Sequence, residues 1–338
     1  MFTIPSDEKE FALLSLGEVL LRLSPPHKER ILAGEVFEKR AGGSELNVAS
    51  GVSLLGLRTG MITKLPANEI GKYIKNQIRF NGVSDDYIVY DDDRQARLGI
   101  YYYENGAAPR RPLVVYDRAN SSFTTVSLEE IDASVYTNTT MAHISGITLA
   151  LGEKVRQVAG EMIRQFKQTG TLISFDVNYR ASLWDEAEAR SEIVKILPYV
   201  DILFVSEETS RRMFGKTGSL EDIMRSYAEE YGCQLVATTR QRVLSPTKHT
   251  WNSLIYCSDN HQFYQEDPYE EIEVVDRIGS GDAYNAGVLF GLLKYHDVRR
   301  ALEYGNAMAA IKNTIPGAET ESPHPLFFAR PARDFLFL

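Results

Sequence analysis

The chain has 338 residues, of which 43% are hydrophobic and 25% charged, and its formal net charge is −9 at pH 7. This composition is typical of a globular protein without low-complexity tracts, and the acidic balance argues against a protein that wraps nucleic acid, which needs a basic surface. No segment reaches about eighteen uninterrupted apolar residues and the N-terminus lacks a signal-peptide pattern, so we expect a cytoplasmic protein without a membrane partner. Cys233 and Cys257 fit no metal-ligand spacing and are expected to be buried free thiols in a reducing compartment.

The first elements are predicted from apolar runs and their spacing. An apolar run indicates a buried strand over residues 11–23, stopped by Ser24-Pro25-Pro26, and alternation indicates a second, more exposed strand over residues 36–40. Apolar residues near helical spacing predict a helix that begins after Gly42-Gly43 and ends at Gly56. A further helix is predicted over residues 69–80.

Two strands rich in tyrosine, isoleucine and valine are predicted over residues 98–103 and 113–118, joined as a hairpin with an irregular loop. At a period of two, Tyr101 and Tyr103 share one face, as do Tyr116 and Arg118. Such a face could bind hydroxyl groups through the tyrosines and a carboxylate through the guanidinium group. Cross-strand aromatic packing explains the same pattern, and composition alone slightly favours that alternative.

The second half alternates strands with helices, which predicts right-handed βαβ units on a parallel sheet and an α/β fold. Strands are expected over residues 141–145, 171–177, 201–206 and 234–239, and helices over residues 153–168, 186–197 and 219–232. Ligands of such sheets bind beyond the carboxyl ends of the strands. The candidate positions are therefore Ser145 and residues 176–180, 206–208 and 238–240.

Residues 273–285 carry the strongest functional pattern in the chain. The pair Val274-Val275 is predicted to end a strand, Gly279-Ser280-Gly281 can bend sharply, and Asp282 is predicted to open a helix. Unpaired backbone N–H groups and the helix dipole make such a turn an anion site. A carboxylate at its rim is explained if Asp282 removes a proton from a hydroxyl group that attacks a phosphoryl group held by the turn. The alternative is that Asp282 only caps the helix.

Two further clusters could contact a substrate. Residues 41–47 form a second Gly-rich helix entry, in which Gly43 allows close approach and Asn47 offers a donor and an acceptor, as a polyol requires. A tight turn with a helix-facing asparagine is an equally good explanation. Arg180 follows a buried strand and could bind a carboxylate or a nucleotide phosphate, or it could form a structural pair with Asp176.

Several enzyme classes are excluded by missing motifs. The histidines show no HExxH or similar ligand spacing, which argues against a zinc enzyme, and there is neither a P-loop nor a GxSxG nucleophile motif.

With the two Gly-rich motifs in order on an α/β chain, the sequence resembles the ribokinase-like (PfkB) carbohydrate kinases over residues 12–317. Residues 42–49 match the N-terminal Gly-Gly-x-x-x-Asn-x-Ala motif, and residues 276–282 match Asp-Thr-x-Gly-Ala-Gly-Asp with Arg277 and Ser280 as departures. Within that family, five segments resemble 2-keto-3-deoxygluconate kinases: residues 116–121, 175–180, 238–240, 275–279 and 314–317.

The resemblance implies a three-layer α/β/α ribokinase-like parallel sheet in a single domain over residues 1–338. It also implies a small β-sheet lid, formed by approximately residues 31–41 and 97–119, and a homodimer through that lid. The implied reaction transfers the γ-phosphate of ATP to a primary hydroxyl of an acidic keto sugar, 2-keto-3-deoxygluconate. A neutral sugar such as fructose, ribose or tagatose is the alternative substrate, and a non-catalytic sugar sensor is the alternative function.

The resemblance also implies a role for individual residues. Asp282 would be the general base, with Gly279, Ser280 and Gly281 as the anion hole. The sugar acid would contact Gly43, Asn47, Tyr101, Tyr103, Tyr116, Arg118 and Arg180. ATP would contact Asn178, Ser206, Thr238, Arg240 and Asn306. Mg²⁺ would contact Glu208, and a monovalent cation such as K⁺ would bind near Asp276.

Three departures from the family pattern affect these expectations. Ser206-Glu207-Glu208-Thr209 stands where the family often has Asn-x-x-Glu, and residues 238–242 replace the Lys-x-Gly-x-x-Gly nucleotide loop. Ala318, followed by Glu319, stands where 2-keto-3-deoxygluconate kinases commonly carry aspartate. That last change predicts a different sugar preference or a role for Glu319.

Overall fold

The computed structural model describes residues 4, 9–106, 109–245 and 248–317. Its described part contains fifteen strands and ten helices besides short 3₁₀ turns. The strands are β1 (Phe11–Leu16), β2 (Leu20–Ser24), β3 (Glu38–Gly42), β4 (Thr59–Pro66), β5 (Val83–Ser84), β6 (Ile88–Asp91), β7 (Ile100–Glu104), β8 (Leu113–Asp117), β9 (Thr139–Ser145), β10 (Leu172–Asp176), β11 (Ile202–Phe204), β12 (Leu235–Ser245), β13 (Lys248–Cys257), β14 (Gln262–Tyr264) and β15 (Tyr269–Glu273). The helices are α1 (Ser44–Leu54), α2 (Glu69–Phe80), α3 (Val135–Asn138), α4 (Gly146–Leu149), α5 (Glu153–Gln168), α6 (Glu186–Ile196), α7 (Glu207–Arg212), α8 (Leu220–Tyr231), α9 (Ser280–Tyr295) and α10 (Val298–Asn313).

Two sheets organise the described residues. The large one has eleven strands, in the order β14-β13-β12-β11-β10-β9-β1-β4-β5, with β15 paired to β13 and β6 paired to β4. Strands β12 through β5 along this order are parallel, whereas β13, β14 and β15 pair antiparallel at one end. The small sheet has four strands in the order β3-β2-β7-β8, and we call it the lid sheet.

The large sheet is covered on both faces because its strand residues alternate between two apolar cores. On β1, Leu13 faces the core that contains residues of α1, α9 and α10. Its neighbour Leu14 faces the core that contains residues of α5, α6 and α8. The arrangement is the three-layer α/β/α fold expected from the alternating second half.

Local signals explain the helices whose bounds agree with the prediction. Helix α2 begins after Asn68, whose side chain accepts hydrogen bonds from the amides of Ile70 and Gly71, and it buries Ile74 and Ile78. Helix α5 spans the predicted residues 153–168 with a buried apolar stripe on one side. The apolar spacing of both helices and the Asn68 cap of α2 are visible in the sequence.

The predicted strand over residues 11–23 is wrong, because the chain forms two strands there that belong to different sheets. Residues 17–19 carry the chain from β1 in the large sheet to β2 in the lid sheet. A Cβ atom at Gly17 would lie 2.4 Å from the carboxyl carbon of Glu45, so only glycine fits at this crossing. The lid sheet thus contains Leu20–Ser24 in addition to the predicted lid strands.

Other boundaries also differ from the expectations, and the strand predicted over residues 234–239 extends to Ser245. The strand predicted over residues 36–40 lies at Glu38–Gly42, and Val274 and Val275 follow strand β15 instead of ending a strand. Helix α9 begins at Ser280, so Asp282 lies inside its first turn. Cys233 and Cys257 are free and buried, as expected, and no helix in the described ranges is long and apolar enough to cross a membrane.

Candidate active site

The two Gly-rich helix starts meet at the carboxyl ends of the central strands, beneath the lid sheet. Helix α1 begins after Gly43, helix α9 begins after Gly279, and the two helices pack side by side. Between them and the lid sheet lies a cavity of about 520 Å³, which we call the lid cavity. Its lining includes Glu18, Gly43, Ser44, Asn47, Tyr101, Tyr103, Val114, Tyr116, Arg118, Asp176, Asn178, Arg180, Gly279, Ser280, Gly281 and Asp282. The structure therefore brings together every residue predicted for catalysis and sugar binding.

Asp282 is held at this cavity by side chains from helix α1. Its carboxylate accepts hydrogen bonds of 2.7 Å from the Ser44 hydroxyl and 2.7 Å from the Asn47 amide nitrogen. Burial raises the pKa of Asp282, while the hydrogen bonds from Asn47 and Ser44 and the charge of Arg180 oppose the rise. Gly279 occupies the N-cap position, so the alternative that Asp282 only caps the helix is wrong. A fixed, partly desolvated carboxylate of this kind can accept a proton from a bound hydroxyl group.

The turn before α9 has the geometry of an anion site. Gly279 has φ 81° and ψ 0°, a left-handed conformation that favours glycine. A Cβ atom placed on Gly281 would meet no atom within 4 Å, so this glycine faces open space. The first amides of the helix point out of its N-terminus, where the helix dipole favours negative charge. This turn can therefore hold a phosphoryl group next to Asp282.

A second, half-buried carboxylate, Asp176, lies at the end of strand β10. It accepts hydrogen bonds from the amide of Asn178 at 2.9 Å and from the side chain of Asn285 at 2.8 Å. Burial and, secondly, the nearby charge of Asp282 raise the pKa of Asp176 to about 7. Asn178 also donates to the Ser44 hydroxyl at 2.9 Å, so Ser44 connects Asn178 with Asp282.

The two predicted arginines have different surroundings. Arg118 forms an ion pair with the buried carboxylate of Glu18, with its Nε atom 2.9 Å from Glu18 Oε2. Arg180 has no carboxylate partner among the described residues, and its guanidinium donates to the Tyr179 carbonyl at 3.2 Å. The alternative of a structural Asp176–Arg180 ion pair is not found in the structure. Of the two, Arg180 is therefore the cation available to an acidic ligand.

The lid tyrosines pack against each other and also line the cavity. The ring centroids of Tyr101 and Tyr116 are 5.9 Å apart across the hairpin, and the guanidinium of Arg22 lies 4.4 Å from the ring centroid of Tyr103. Burial raises the pKa of Tyr103 to about 12, so its hydroxyl stays protonated and can donate a hydrogen bond. Aromatic packing and ligand contact are thus compatible here.

A smaller cavity of about 210 Å³ adjoins the lid cavity, and we call it the strand-end cavity. The two cavities share Asp176, Asn178, Arg180 and Gly281. Ser206 lines the strand-end cavity and caps α7, and Thr238 lines it with a buried hydroxyl that has no partner within the described ranges. Of the five residues predicted to contact ATP, these two and Asn178 face a common space.

Arg240 and Asn306, the other two residues predicted to contact ATP, line neither cavity. Arg240 lies on β12 with its guanidinium 3.8 Å from Glu221. Asn306 is fully buried on α10 and donates to Glu266 at 2.7 Å.

The structure does not favour the predicted metal contacts. The Glu208 side chain is 77% exposed, pairs with Arg212 at 3.0 Å and lines neither cavity. Both carboxylate oxygens of Asp276 already accept hydrogen bonds, from the Ile278 amide on one side and from Arg22 and the Gly317 amide on the other. No cluster of three or more metal-ligating side chains occurs among the residues that the structure describes.

Sequence reasoning missed several residues of the site. Ser44 lies inside the Gly-rich motif, and its hydroxyl next to two glycines was the signal that could have identified it. Glu45 is fully buried, and its carboxylate accepts from the Ser145 hydroxyl and the Thr148 hydroxyl at 2.7 Å each. Burial raises the pKa of Glu45. Glu18, the partner of Arg118, carried no local signal. Ala318 and Glu319 lie outside the described residues.

Comparisons with known proteins identify the family of the chain. The model of the pfkB family of carbohydrate kinases matches residues 11–325. The chain is 35% identical over 305 residues to a 2-dehydro-3-deoxygalactonokinase of Haloferax volcanii, covering 90% of this chain and 92% of the relative. It is similar to the crystal structure of 2-dehydro-3-deoxygluconokinase from Thermotoga maritima, with a TM-score of 0.85, 32% identity and coverage of 91% and 95%. A sugar kinase of Pyrococcus horikoshii solved in complex with ATP has a TM-score of 0.74, 25% identity and coverage of 95% and 99%. The large parallel-rich sheet with a small second sheet is thus the ribokinase-like fold, and the chain belongs to the pfkB family of carbohydrate kinases.

Proposed function

We propose that the chain is an ATP-dependent kinase of a 2-keto-3-deoxy sugar acid. The reaction would transfer the γ-phosphate to the terminal primary hydroxyl of 2-keto-3-deoxygluconate or of its epimer 2-keto-3-deoxygalactonate. One observation carries the proposal: half-buried Asp282, fixed by Ser44 and Asn47, shares a cavity with the guanidinium of Arg180, which has no carboxylate partner among the described residues. The names of the Haloferax and Thermotoga relatives favour the same class of substrate.

The proposed mechanism uses positioning and charge more than covalent chemistry. Asp282 removes the proton of the primary hydroxyl group while the hydroxyl oxygen attacks the γ-phosphorus. The bond between the γ-phosphorus and the bridging oxygen of the β-phosphate breaks. The amide of Gly281 binds the charge that develops on the phosphoryl oxygens. The side-chain amide oxygen of Asn47 (Oδ1) is buried without a partner among the described residues, so it can accept a hydrogen bond from a sugar hydroxyl.

The phosphates of the nucleotide would lie at the junction of the two cavities, near Gly281. The part of the nucleotide that adjoins the phosphates would lie in the strand-end cavity. Asn178, Ser206 and Thr238 supply polar groups there. For Mg²⁺ the fitting residue is Asp176, because its carboxylate lines both cavities and hard cations prefer oxygen ligands. When bound, Mg²⁺ neutralises phosphate charge during the transfer.

A neutral sugar is the second candidate substrate, because Arg118, one of the arginines that line the lid cavity, is already paired with Glu18. A non-catalytic sensor is disfavoured by the intact combination of Asp282, Ser44, Asn47 and the Gly-rich turn. We also propose a cytoplasmic location, because free cysteines fit a reducing compartment. In addition we propose a homodimer through the lid sheet.

A substrate panel tests the function. Release of ADP is measured with ATP, Mg²⁺ and, separately, 2-keto-3-deoxygluconate, 2-keto-3-deoxygalactonate, fructose, ribose and tagatose. We expect the two acids to give the highest kcat/KM, and Asp282→Asn to lower kcat on the order of 10²–10⁴-fold, as removal of a general base does. A neutral sugar preferred over both acids would overturn the substrate class, and wild-type kcat in Asp282→Asn would overturn the role of Asp282.

A further inference from the structure

Lys312 is a buried cation without an ion-pair partner among the described residues. It lies near the end of α10, and its side chain is fully buried. Its ammonium donates to two backbone carbonyl groups, those of Asp276 at 3.3 Å and Ile315 at 3.2 Å. Burying an ammonium group is costly, so its retention among neutral oxygens calls for a physical reason.

The two carbonyl groups belong to segments that meet beside the anion site. Asp276 begins the turn that leads to Gly279 and Gly281, and Ile315 follows the C-terminus of α10. The same segments are joined by hydrogen bonds from the Val275 amide to the Asn313 carbonyl at 2.8 Å and from the Gly317 amide to the Asp276 carboxylate at 3.1 Å. Through its two hydrogen bonds, Lys312 thus links the end of α10 to the start of the turn at residues 276–281.

The charge of Lys312 also acts on the site. Burial lowers the pKa of Lys312 to about 8, and the charges of Asp276 and Asp282 oppose this fall, whereas those of Arg22 and Arg40 add to it. In turn, its positive charge lowers the pKa of Asp282. A neutral side chain could satisfy one carbonyl group by hydrogen bonding, but it would not supply this field.

We infer that the Lys312 ammonium is a built-in monovalent cation, a positioning residue that holds the Asp276–Gly281 turn by its carbonyl groups and makes a K⁺ ion unnecessary. A compact ammonium contacting carbonyl oxygens makes the interactions that a bound alkali cation would make. The Asp276 carboxylate, near which a monovalent cation was expected, already accepts hydrogen bonds from protein donors. The inference rests on the proposed kinase reaction for its kinetic test.

The test compares the wild type with Lys312→Ala and Lys312→Met in buffers of equal ionic strength that contain KCl, NH₄Cl or tetramethylammonium chloride. Lys312→Ala opens a space for a small cation, whereas Lys312→Met fills that space with a neutral chain of similar length. We expect wild-type kcat to be the same in all three salts. We expect Lys312→Ala to lose kcat on the order of 10–100-fold in tetramethylammonium and to recover part of it in K⁺ or NH₄⁺, because misplacing the turn misplaces the phosphoryl group. Lys312→Met should lose activity without recovering.

Thermal melting gives a readout that does not depend on catalysis. A cation that binds the folded Lys312→Ala protein raises its Tm by mass action, so we expect a higher Tm in KCl than in tetramethylammonium chloride for this variant alone. Activation of the wild type by K⁺, absence of any K⁺ effect on Lys312→Ala, or equal recovery of Lys312→Met would each overturn the inference. If the wild type phosphorylates no sugar, the proposed function fails, and the melting curves still decide the role of Lys312.

Discussion

Arg118 and Arg180 face the same cavity but differ in what their guanidinium groups already contact. Arg180 has no carboxylate partner among the described residues. Arg180→Ala should therefore lower kcat/KM for a sugar acid by an amount equivalent to about 1.5–3 kcal/mol, the range for hydrogen bonds to charged groups. It should leave kcat/KM for a neutral analogue nearly unaffected. Arg118→Ala is the matched control, since it removes the ion-pair partner of the buried Glu18 carboxylate. That variant should lower Tm and reduce activity on acidic and neutral sugars alike. Equal losses on both sugars in Arg180→Ala would assign Arg180 to the nucleotide.

Gly279 and Gly281 are glycines for different reasons. Gly281→Ala should fold with unchanged stability or a gain of up to about 1 kcal/mol, because the position lies in a helix and a Cβ meets no atom there. The added methyl group should nevertheless lower kcat, since it projects into the space proposed for the phosphoryl group. Gly279→Ala should destabilise the protein by about 1–3 kcal/mol, because its φ of 81° is strained for alanine. Denaturant unfolding and steady-state kinetics on both variants separate the two effects, and wild-type kcat in Gly281→Ala would contradict the anion site.

The raised pKa of Asp176 makes the stability of the folded protein depend on pH. Its pKa is about 7 in the folded protein and near 3.8 without the fold, so the folded state holds an extra proton between these values. The stability contributed by that proton is fully present below pH 3.8 and is lost as pH rises through about 7. The asparagine in the Asp176→Asn variant has no such proton to lose. The Tm of the variant minus the Tm of the wild type should therefore increase from pH 5 to pH 8. Melting curves without Mg²⁺ check this, and a constant Tm difference across that range would mean that Asp176 is ionised throughout.

The sequence predicted the members of the site better than their mutual contacts. Asp282 and Asn47 stand out because each follows a Gly-rich helix entry. Their hydrogen bond joins residues that are 235 positions apart, and only the fold brings them together. Glu18 could not be assigned for the same reason, since its burial depends on Arg118 and Ser121, about a hundred residues away.

At the scale of elements, boundaries that depend on neighbouring residues were predicted correctly. Boundaries that depend on contacts with distant residues were not. The bounds of helix α2 agree with the prediction, and its cap and its apolar spacing are local. The division between β1 and β2 was not, because Gly17, Glu18 and Val19 interrupt the run without a turn pattern. A Cβ atom at Gly17 would lie 2.4 Å from the Glu45 carboxyl carbon, and this tertiary contact has no local signal in the sequence.

The lid sheet is the element expected to respond to substrate. Strand β7 lies between β2 and β8, and its residues Tyr101 and Tyr103 are already buried, whereas all five residues of the edge strand β8 are exposed. If the lid closes over the sugar, hydrogen-exchange protection should rise mainly in β8 and less in β7, because β8 has one strand neighbour and opens more easily. Exchange measured with and without the sugar acid checks this. Unchanged protection in β8 would restrict Tyr116 to packing.

At the scale of the whole molecule, the outer face of the lid sheet leaves apolar groups in water. Leu113 and Val115 on β8 are 49% and 44% exposed, and they lie on the face opposite to the cavity residues Val114 and Tyr116. An unpaired edge strand with exposed apolar residues is a surface that proteins usually cover. A second copy of the chain is the simplest cover, since a two-fold contact places the same patch on both sides.

We therefore expect a homodimer in sedimentation experiments at micromolar concentration. Val115→Lys should shift it to the monomer, because two lysines would be brought into an apolar contact, and the fold should tolerate the change at an exposed position. Val243→Lys is the matched control, since Val243 is 63% exposed on β12, outside the lid sheet, and this variant should stay dimeric. A wild-type monomer would refute the dimer. A dimer that survives Val115→Lys would place the interface elsewhere, and the exposed face of β8 would then need a different partner.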